Sequence, residues 1–434
     1  MNEHYVLKQG DCVEVLRAMD SESVHCCITS PPYWGLRDYG VEGQIGLEKT
    51  PDEYVERMRE VFAEVRRVLR PDGTLWLNLG DSYVSAKGRH SNKQQTISGR
   101  PRNEPGQGKR PDLRGHAVLK DKDLTGIPWR VALALQEDGW YLRSDIIWHK
   151  RNCLPESVRD RPTKAHEYIF LMTKNGKYFY DADAIREPLA LGTPERAMRG
   201  LSEHHKYANG VPGQGRSNIH KPRRNAQTVG RTERKMDDTG YGGDGTGLHG
   251  HSGYFDADGK PRFNPLGRNK RTVWTVSTQA FKGAHFATFP EKLIEPCVLA
   301  GTSEKGCCEK CGSPWVRMTE IVRPEGYMES YEDQDDRFND ALPPRSGWGA
   351  RTLSAIFKTA TGTTRGTVGW QPSCSCNAAT IPCTILDPFG GAGTTGVVAL
   401  KHGRKYIGIE LKQEYLELAR KRMKSISQQM AMEA

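Results

Sequence analysis

The stretch Asp387-Pro388-Phe389-Gly390-Gly391-Ala392-Gly393-Thr394-Thr395-Gly396 constrains the fold of this chain more than any other. It follows an apolar strand pattern, Thr384 to Leu386, and opens a helical one; a second strand pattern, Tyr406 to Ile409, comes next. Strand, small-residue loop, helix and strand in that order form a βαβ unit of a doubly wound, mostly parallel sheet. The glycines let backbone approach a ligand closely, and a helix N-terminus presents N–H groups to it. Glu410 stands 410 − 387 = 23 residues after Asp387, where its carboxylate can accept both hydroxyls of a ribose. No Gly-Lys-Ser/Thr follows, so this is not a phosphate-gripping loop. A plain glycine-rich turn would leave the ordered succession of strand, loop, helix, strand and acid unexplained. The pattern predicts a nucleoside-bearing cofactor.

A second constellation stands near the other end. The apolar run Val24 to Ile28 reads as a buried strand and leads into Thr29-Ser30-Pro31-Pro32-Tyr33-Trp34. Pro31 and Pro32 stiffen the backbone and lack N–H groups, so the local carbonyls face outward as acceptors. With the Ser30 hydroxyl and the Tyr33 ring they suit a planar, amino-bearing ring such as a nucleobase. The competing reading is a rigid surface turn. Downstream, Thr50-Pro51-Asp52-Glu53 starts a helix as a capping box, with Tyr54, Met58, Val61, Phe62, Val65 and Leu69 on one stripe. Pro71-Asp72-Gly73 ends it, and Thr74 to Leu79 reads as a strand. A helix around Pro128 to Glu137 and a strand over Ser144 to Trp148 follow. Glu167 to Thr173 and Lys177 to Tyr180 flank Asn175-Gly176, which predicts an antiparallel hairpin at the sheet edge.

Between these parts the composition is diluted: only 36% of the 434 residues are hydrophobic, against 46 Gly and 25 Pro, so the core must be concentrated. A net charge of +10 favours a polyanionic partner. Lys87 to Lys122 carries ten Lys or Arg against three Asp or Glu, a flexible loop suited to phosphate contacts. Neither a signal peptide nor an apolar run of membrane-spanning length is evident, which predicts a cytoplasmic protein with reduced or metal-bound cysteines. Cys308-Glu-Lys-Cys311 and Cys374-Ser-Cys376, 374 − 311 = 63 residues apart, would form a structural zinc site closing a polar insert. Cys307 is the alternative to Cys308; unbound thiols are the alternative to zinc. The other cysteines sit among apolar neighbours as core residues.

Taken together, these motifs resemble the amino-directed DNA methyltransferases that use S-adenosylmethionine. Ser30-Pro31-Pro32-Tyr33 resembles their catalytic motif and Asp387 to Thr395 their cofactor motif. The catalytic motif comes first, by 387 − 30 = 357 residues, an order that resembles the circularly permuted β group. Gly10-Asp11-Cys12 resembles the motif whose Asp meets the cofactor adenine. His285 to Leu293, with Thr288, Phe289 and Pro290, resembles the helix entry at the methionine end. Trp148 to Asn152 and Thr163 to Phe170 resemble segments lining the base pocket.

The resemblance implies a Rossmann-like class I fold with long basic inserts. Its catalytic half would be 1–186 (with 87–122 the flexible loop) and its cofactor half 271–301 with 381–434. Residues 187–270 would be the target-recognition insert and 302–380 the Cys-framed one. Catalysis would rest on Ser30, Pro31, Pro32 and Tyr33. Cofactor contacts would come from Asp11, Thr288, Phe289, Pro290, Asp387, Pro388, Phe389, Gly391, Gly393, Thr394, Thr395 and Glu410. It implies double-stranded DNA as partner, base flipping, a companion restriction enzyme and a prokaryotic or phage origin. Ser in the first motif position leans to cytosine N4 over adenine N6, although a hydroxyl accepts from either amino group. A DNA-binding protein that keeps the pocket without turnover is the competing class. RNA as substrate and the oligomeric state stay open.

Overall fold

The computed structural model describes residues 4–36, 40–84, 118–153, 155–188, 267–279, 289–322 and 364–433. The chain divides into two compact units, the first made of Met1–Ile185, Asn269–Met318 and Thr367–Ala434, the second of Arg186–Arg268 and Thr319–Gly366. Most of the second lies outside the described residues, and with it most of the expected recognition insert; the basic loop is described only from Val118. The cysteine-bearing ends of the 302–380 segment belong to the first unit.

The first unit is built on an eight-stranded sheet. Its strands are β1 (Tyr5–Gln9), β2 (Val24–Thr29), β3 (Leu69–Leu79), β4 (Tyr141–His149), β5 (His166–Thr173), β6 (Val273–Thr275), β11 (Thr384–Asp387) and β12 (Lys405–Glu410). Their order across the sheet is β1-β12-β11-β2-β3-β5-β4-β6, with β5 antiparallel to both neighbours and every other pairing parallel. Outside this sheet β7 (Cys307–Cys308) pairs with β10 (Thr380–Ile381), and β8 (Trp315–Val322) with β9 (Thr364–Pro372). Continuous apolar runs explain the burial of both sheet faces. Along β3, Leu75, Leu77 and Leu79 enter one core and Trp76 the other; along β2, Cys27 enters the first and Cys26 and Ile28 the second.

Among the described residues, three helices cover each face. Helices α1 (Cys12–Arg17), α2 (Pro51–Val68) and α3 (Ile127–Glu137) supply Leu16, Phe62 and Val131 to the first core. The second receives Val298, Val398 and Met423 from α4 (Glu291–Gly301), α5 (Thr394–Lys401) and α6 (Gln413–Glu433). The start of α2 forms as its sequence dictates: Thr50 Oγ1 accepts from the Glu53 amide at 3.1 Å. Glu53 reaches back one residue further than a capping box requires, to the Lys49 amide at 2.9 Å.

The expected hairpin about Asn175-Gly176 does not form. Lys177 to Tyr180 is not a strand, and β5 pairs instead with β3 and β4. Asn175 donates from its amide to the Pro71 carbonyl at 2.8 Å, and the Phe179 amide donates to the Asp72 carbonyl at 2.8 Å. These bonds lead the chain away from a return along β5. The antiparallel element of the sheet is thus β5 itself, with β4 and β6 beyond it.

The connections fix where a ligand can sit. From β11 the chain moves through α5 to β12 on one side, and from β2 through α2 to β3 on the other. Adjacent parallel strands whose connections diverge leave a crevice at their carboxyl ends. Asp387 ends β11 and Thr29 ends β2. Close packing of α5 sets this geometry: a Cβ on Gly396 would lie 2.6 Å from Met423 Sδ and 2.7 Å from the Tyr406 ring. Replacing Gly396 by Val should therefore destabilise the protein by about 1–3 kcal/mol, read as a lower urea midpoint at unchanged m-value.

Candidate active site

Asp387 joins the two ends of the chain. Its side chain is 2% exposed, and its Oδ1 accepts from Thr29 Oγ1 at 2.6 Å and the Phe389 amide at 3.1 Å. Its Oδ2 accepts from Thr395 Oγ1 at 2.7 Å. The catalytic-type turn and the glycine loop therefore share one buried carboxylate. Burial pushes Asp387 up to about 6, against the opposing pull of the Thr29 and Thr395 hydroxyls and the Phe389 amide.

The glycine loop is held from below as well. Gly391 and Gly393 lie in the left-handed region at φ 50 and 74, which suits glycine. A Cβ on Gly393 would come within 2.8 Å of Ala419 and Met423 on α6. Arg422 on α6 donates to the Ala392 carbonyl at 2.7 Å and to Thr394 Oγ1 at 3.0 Å. Pro388, Thr394 and Thr395 are buried, whereas Phe389 and Gly391 are partly open. The amides of Phe389, Gly390, Gly391 and Gly393 all bond within the protein. These four bonds shape the loop.

Three acids stand at the carboxyl ends of adjacent strands. Glu410 ends β12, Asp11 follows β1, and Gln9 pairs with Glu410 in the register. Glu410 Oε2 accepts from the Gly391 amide and Oε1 from the Lys412 amide, both at 2.8 Å. Burial first, and more weakly the Asp387 charge, raises its carboxyl, while those two amide bonds oppose the shift. Asp11 caps α1 through the Val13 and Glu14 amides at 2.8 and 3.2 Å and pairs with Arg57 at 3.3 Å. Pro290 is the N-cap of α4 and Phe289 packs on the second core, whereas Thr288 lies outside the described residues.

Beside this edge lies a polar network. Ser30 Oγ donates to Tyr33 Oη at 3.2 Å, and Tyr33 Oη lies 2.7 Å from Glu167 Oε2 and 3.0 Å from Asn78 Oδ1. Lys150 is ion-paired with Glu167 Oε1. Tyr54 Oη donates to the Pro32 carbonyl at 3.0 Å, fixing the turn from α2. Pro31 is buried; Ser30, Pro32 and Tyr33 are partly open. The Tyr33 ring lies over Gly80, where a Cβ would meet it at 2.5 Å. Asn78 is not among the residues singled out from sequence, and Glu167 is included there only as part of the Thr163 to Phe170 segment. The signal for Asn78 was present, one amide inside the apolar run Leu75 to Leu79.

The sulfurs of Cys308, Cys311, Cys374 and Cys376 all lie within 4.8 Å of one another. Tetrahedral zinc with bonds of about 2.3 Å requires sulfurs roughly 3.8 Å apart, so this donor set fits that ion. Cys307 stands outside it, with His25 and Cys383. His25 is already engaged: Nδ1 accepts from the Thr384 amide at 3.1 Å and Nε2 faces the Gly312 carbonyl at 2.9 Å. Cys12, Cys26, Cys27, Cys297 and Cys383 are buried as expected of core residues, and Cys153 is partly open. Among the described residues no helix is long and apolar enough to cross a membrane.

The DNA methylase family model, covering N6 and N4 amino-methyltransferases, matches residues 24–308 and 382–421. The chain is 34% identical over 422 residues to the Type II methyltransferase M.Cfr9I of Citrobacter freundii, spanning 96% of this chain and 87% of that protein. To M.XycI of Xanthomonas campestris pv. cyanopsidis it is 35% identical over 417 residues, 96% of this chain and 87% of that protein. To M.SmaI of Serratia marcescens it is 34% identical over 420 residues, 95% of this chain and 89% of that protein. The chain belongs to the DNA methylase family and is an S-adenosylmethionine-dependent DNA amino-methyltransferase.

The raised Asp387 carboxyl has a pH signature. Between its ordinary value of 3.8 and about 6 the folded protein holds a proton that the unfolded chain has released, so stability falls as pH rises through that window. Asn at this position keeps an acceptor for Thr29 and a donor for Thr395 without the titration. Relative to Asp387→Asn, the wild type should gain on the order of 1–3 kcal/mol as pH drops from 6 to 4, measured by urea denaturation at each pH.

Proposed function

We propose that the protein transfers a methyl group from S-adenosylmethionine to the exocyclic N4 amino group of cytosine in duplex DNA. The observation that carries this reading is the shared carboxylate: Asp387 binds Thr29, the residue before Ser30, across the crevice from the glycine loop. The cofactor would lie along Phe389, Gly391, Glu410 and Asp11, with Phe289 and Pro290 at the methionine end and the buried Asp387, Pro388, Gly393, Thr394 and Thr395 supporting the loop. Thr288 is proposed for the same end from its sequence context alone. When bound, S-adenosylmethionine supplies an electrophilic methyl on sulfur.

The residues of the chain act on the base. An exocyclic amino nitrogen is a poor nucleophile because its lone pair is delocalised into the ring. Ser30 Oγ and the Pro31 carbonyl would accept hydrogen bonds from it, favouring a tetrahedral nitrogen and localising the lone pair. In-line displacement then needs no covalent enzyme intermediate and no cysteine nucleophile. The base would leave the duplex to reach the crevice, and the partly open Tyr33 ring would stack on it. Ser rather than Asp or Asn before the prolines supports cytosine over adenine. Residues 187–270 are the proposed recognition insert, their Arg and Asn suited to base edges. The position of Ser30 before Asp387 in the chain supports the circularly permuted motif order, and the relatives' Type II designation supports a companion restriction enzyme.

Zinc on Cys308, Cys311, Cys374 and Cys376 is proposed as structural, since four thiolates fill its coordination. It would clamp the turn after β7 (Cys307–Cys308) to the segment leading into β10 (Thr380–Ile381), with which β7 pairs.

DNA from cells expressing the protein, digested to nucleosides and resolved by mass spectrometry, should contain N4-methylcytosine. N6-methyladenine in its place would overturn the choice of base. Ser30→Ala should lose turnover by about 100-fold or more while binding cofactor as before. Elemental analysis should find about one zinc per chain, and its removal by chelation should lower the melting temperature. A metal-free protein of full stability would refute the zinc site.

A further inference from the structure

We propose that Glu167 fixes the direction of hydrogen bonding at Ser30, so that Ser30 Oγ faces the amino group as an acceptor. The inference rests on the reading of Ser30 as the group that meets the base, and it adds a positioning residue from β5, the next strand but one from β2.

Proton counting along the network leads there. Tyr33 Oη has one proton and two neighbouring acceptors, Glu167 Oε2 at 2.7 Å and Asn78 Oδ1 at 3.0 Å. The orientation of the Asn78 amide follows from its other partners: Nδ2 donates to the Tyr168 carbonyl at 2.9 Å and approaches Glu167 Oε2 at 3.3 Å. Its oxygen must therefore face Tyr33. Whichever acceptor takes the Tyr33 proton, the lone pair of Tyr33 is what remains for Ser30 at 3.2 Å. Ser30 consequently spends its single proton on Tyr33, and towards any third group it can only accept. Without this constraint a serine hydroxyl can rotate and present its proton to the amino group, which would leave the nitrogen lone pair undirected.

The surroundings hold that arrangement. Burial, and secondarily the charge of Glu167, pushes the Tyr33 hydroxyl well above the usual tyrosine range, so it keeps its proton and remains a donor. Lys150 pairs with the other oxygen of Glu167 and lies 4.6 Å from the Trp148 ring centroid. Gly80 leaves the space that the ring occupies; a Cβ there would also come within 3.3 Å of Glu167 Cδ. The hydrogen-bonded path from Glu167 to Ser30 runs through Tyr33.

A glutamine at 167 cannot reproduce this. With its oxygen towards Tyr33, its amide nitrogen meets the Lys150 ammonium, donor to donor; with its nitrogen towards Tyr33, it meets Asn78 Nδ2 and removes the nearer of the two acceptors, leaving the 3.0 Å contact to Asn78 Oδ1 alone to hold the Tyr33 proton away from Ser30. The full chain is assayed for tritium transfer from labelled S-adenosylmethionine into unmethylated chromosomal DNA, with cofactor affinity measured separately by equilibrium dialysis. Glu167→Gln and Tyr33→Phe should each lower kcat by about tenfold or more with cofactor affinity within about twofold. The double variant should be no slower than the slower single, because both remove one chain of bonds. Tyr33→Phe keeps the ring and leaves the Glu167–Lys150 pair, so it tests the link even if a change at 167 disturbs folding. Wild-type kcat in either single variant, or losses that multiply in the double, would overturn the positioning role. Full turnover in Ser30→Ala would instead overturn the reading of Ser30 on which it rests.

Discussion

A single buried carboxylate holds the site together. Asp387 takes a hydroxyl from Thr29, a hydroxyl from Thr395 and an amide from Phe389, so the end of β2, the start of α5 and the glycine loop meet on one side chain. Thr29 and Asp387 are 358 residues apart in sequence and belong to adjacent strands of the sheet. A buried carboxylate is tolerable only when hydrogen-bonded, and here the donors come from the two halves of the site. The connection makes the distance between base-binding turn and cofactor loop a property of the core rather than of a flexible loop.

The ordered half of this chain was well written in its sequence. Continuous apolar runs gave β2, β3, β11 and β12 to within a few residues, because a strand buried on both faces has no polar position to confuse the pattern. The loop from Asp387 to Gly396 and the turn from Ser30 to Tyr33 were legible because glycine and proline restrict backbone in ways few other functions require. The hairpin about Asn175-Gly176 was misread for a tertiary reason: Asn175 found a better partner in the Pro71 carbonyl than in its own turn. Local propensity cannot register a partner 104 residues away.

The site residues show the same division. The residue types are legible in the sequence; the bonds that hold them come from the fold. Asp387 and Thr395, expected at the cofactor, lie buried beneath the loop and bond to one another. Asp11, expected at the adenine, caps α1 and pairs with Arg57. Arg422, which braces the loop from the last helix, carries no motif, and Glu167, which reaches Tyr33 from an antiparallel strand, lies in the Thr163 to Phe170 segment without a task of its own there. Each matters only through the neighbour that the sheet order supplies. The cysteines were the opposite case, since the two short spacings alone brought Cys308, Cys311, Cys374 and Cys376 together on paper and the sheet pairing of β7 with β10 brings them together in space.

The coupling through Asp387 is tested most directly by Thr29→Val, which keeps the side-chain shape and removes the one hydroxyl that crosses between the strands. Turnover at saturating DNA and the dissociation constant of S-adenosylmethionine would be measured on the same preparation. The account predicts that both worsen together, by roughly tenfold each, because the carboxylate loses a buried donor that both halves of the site depend on. Unchanged values of both in a folded Thr29→Val protein would contradict it.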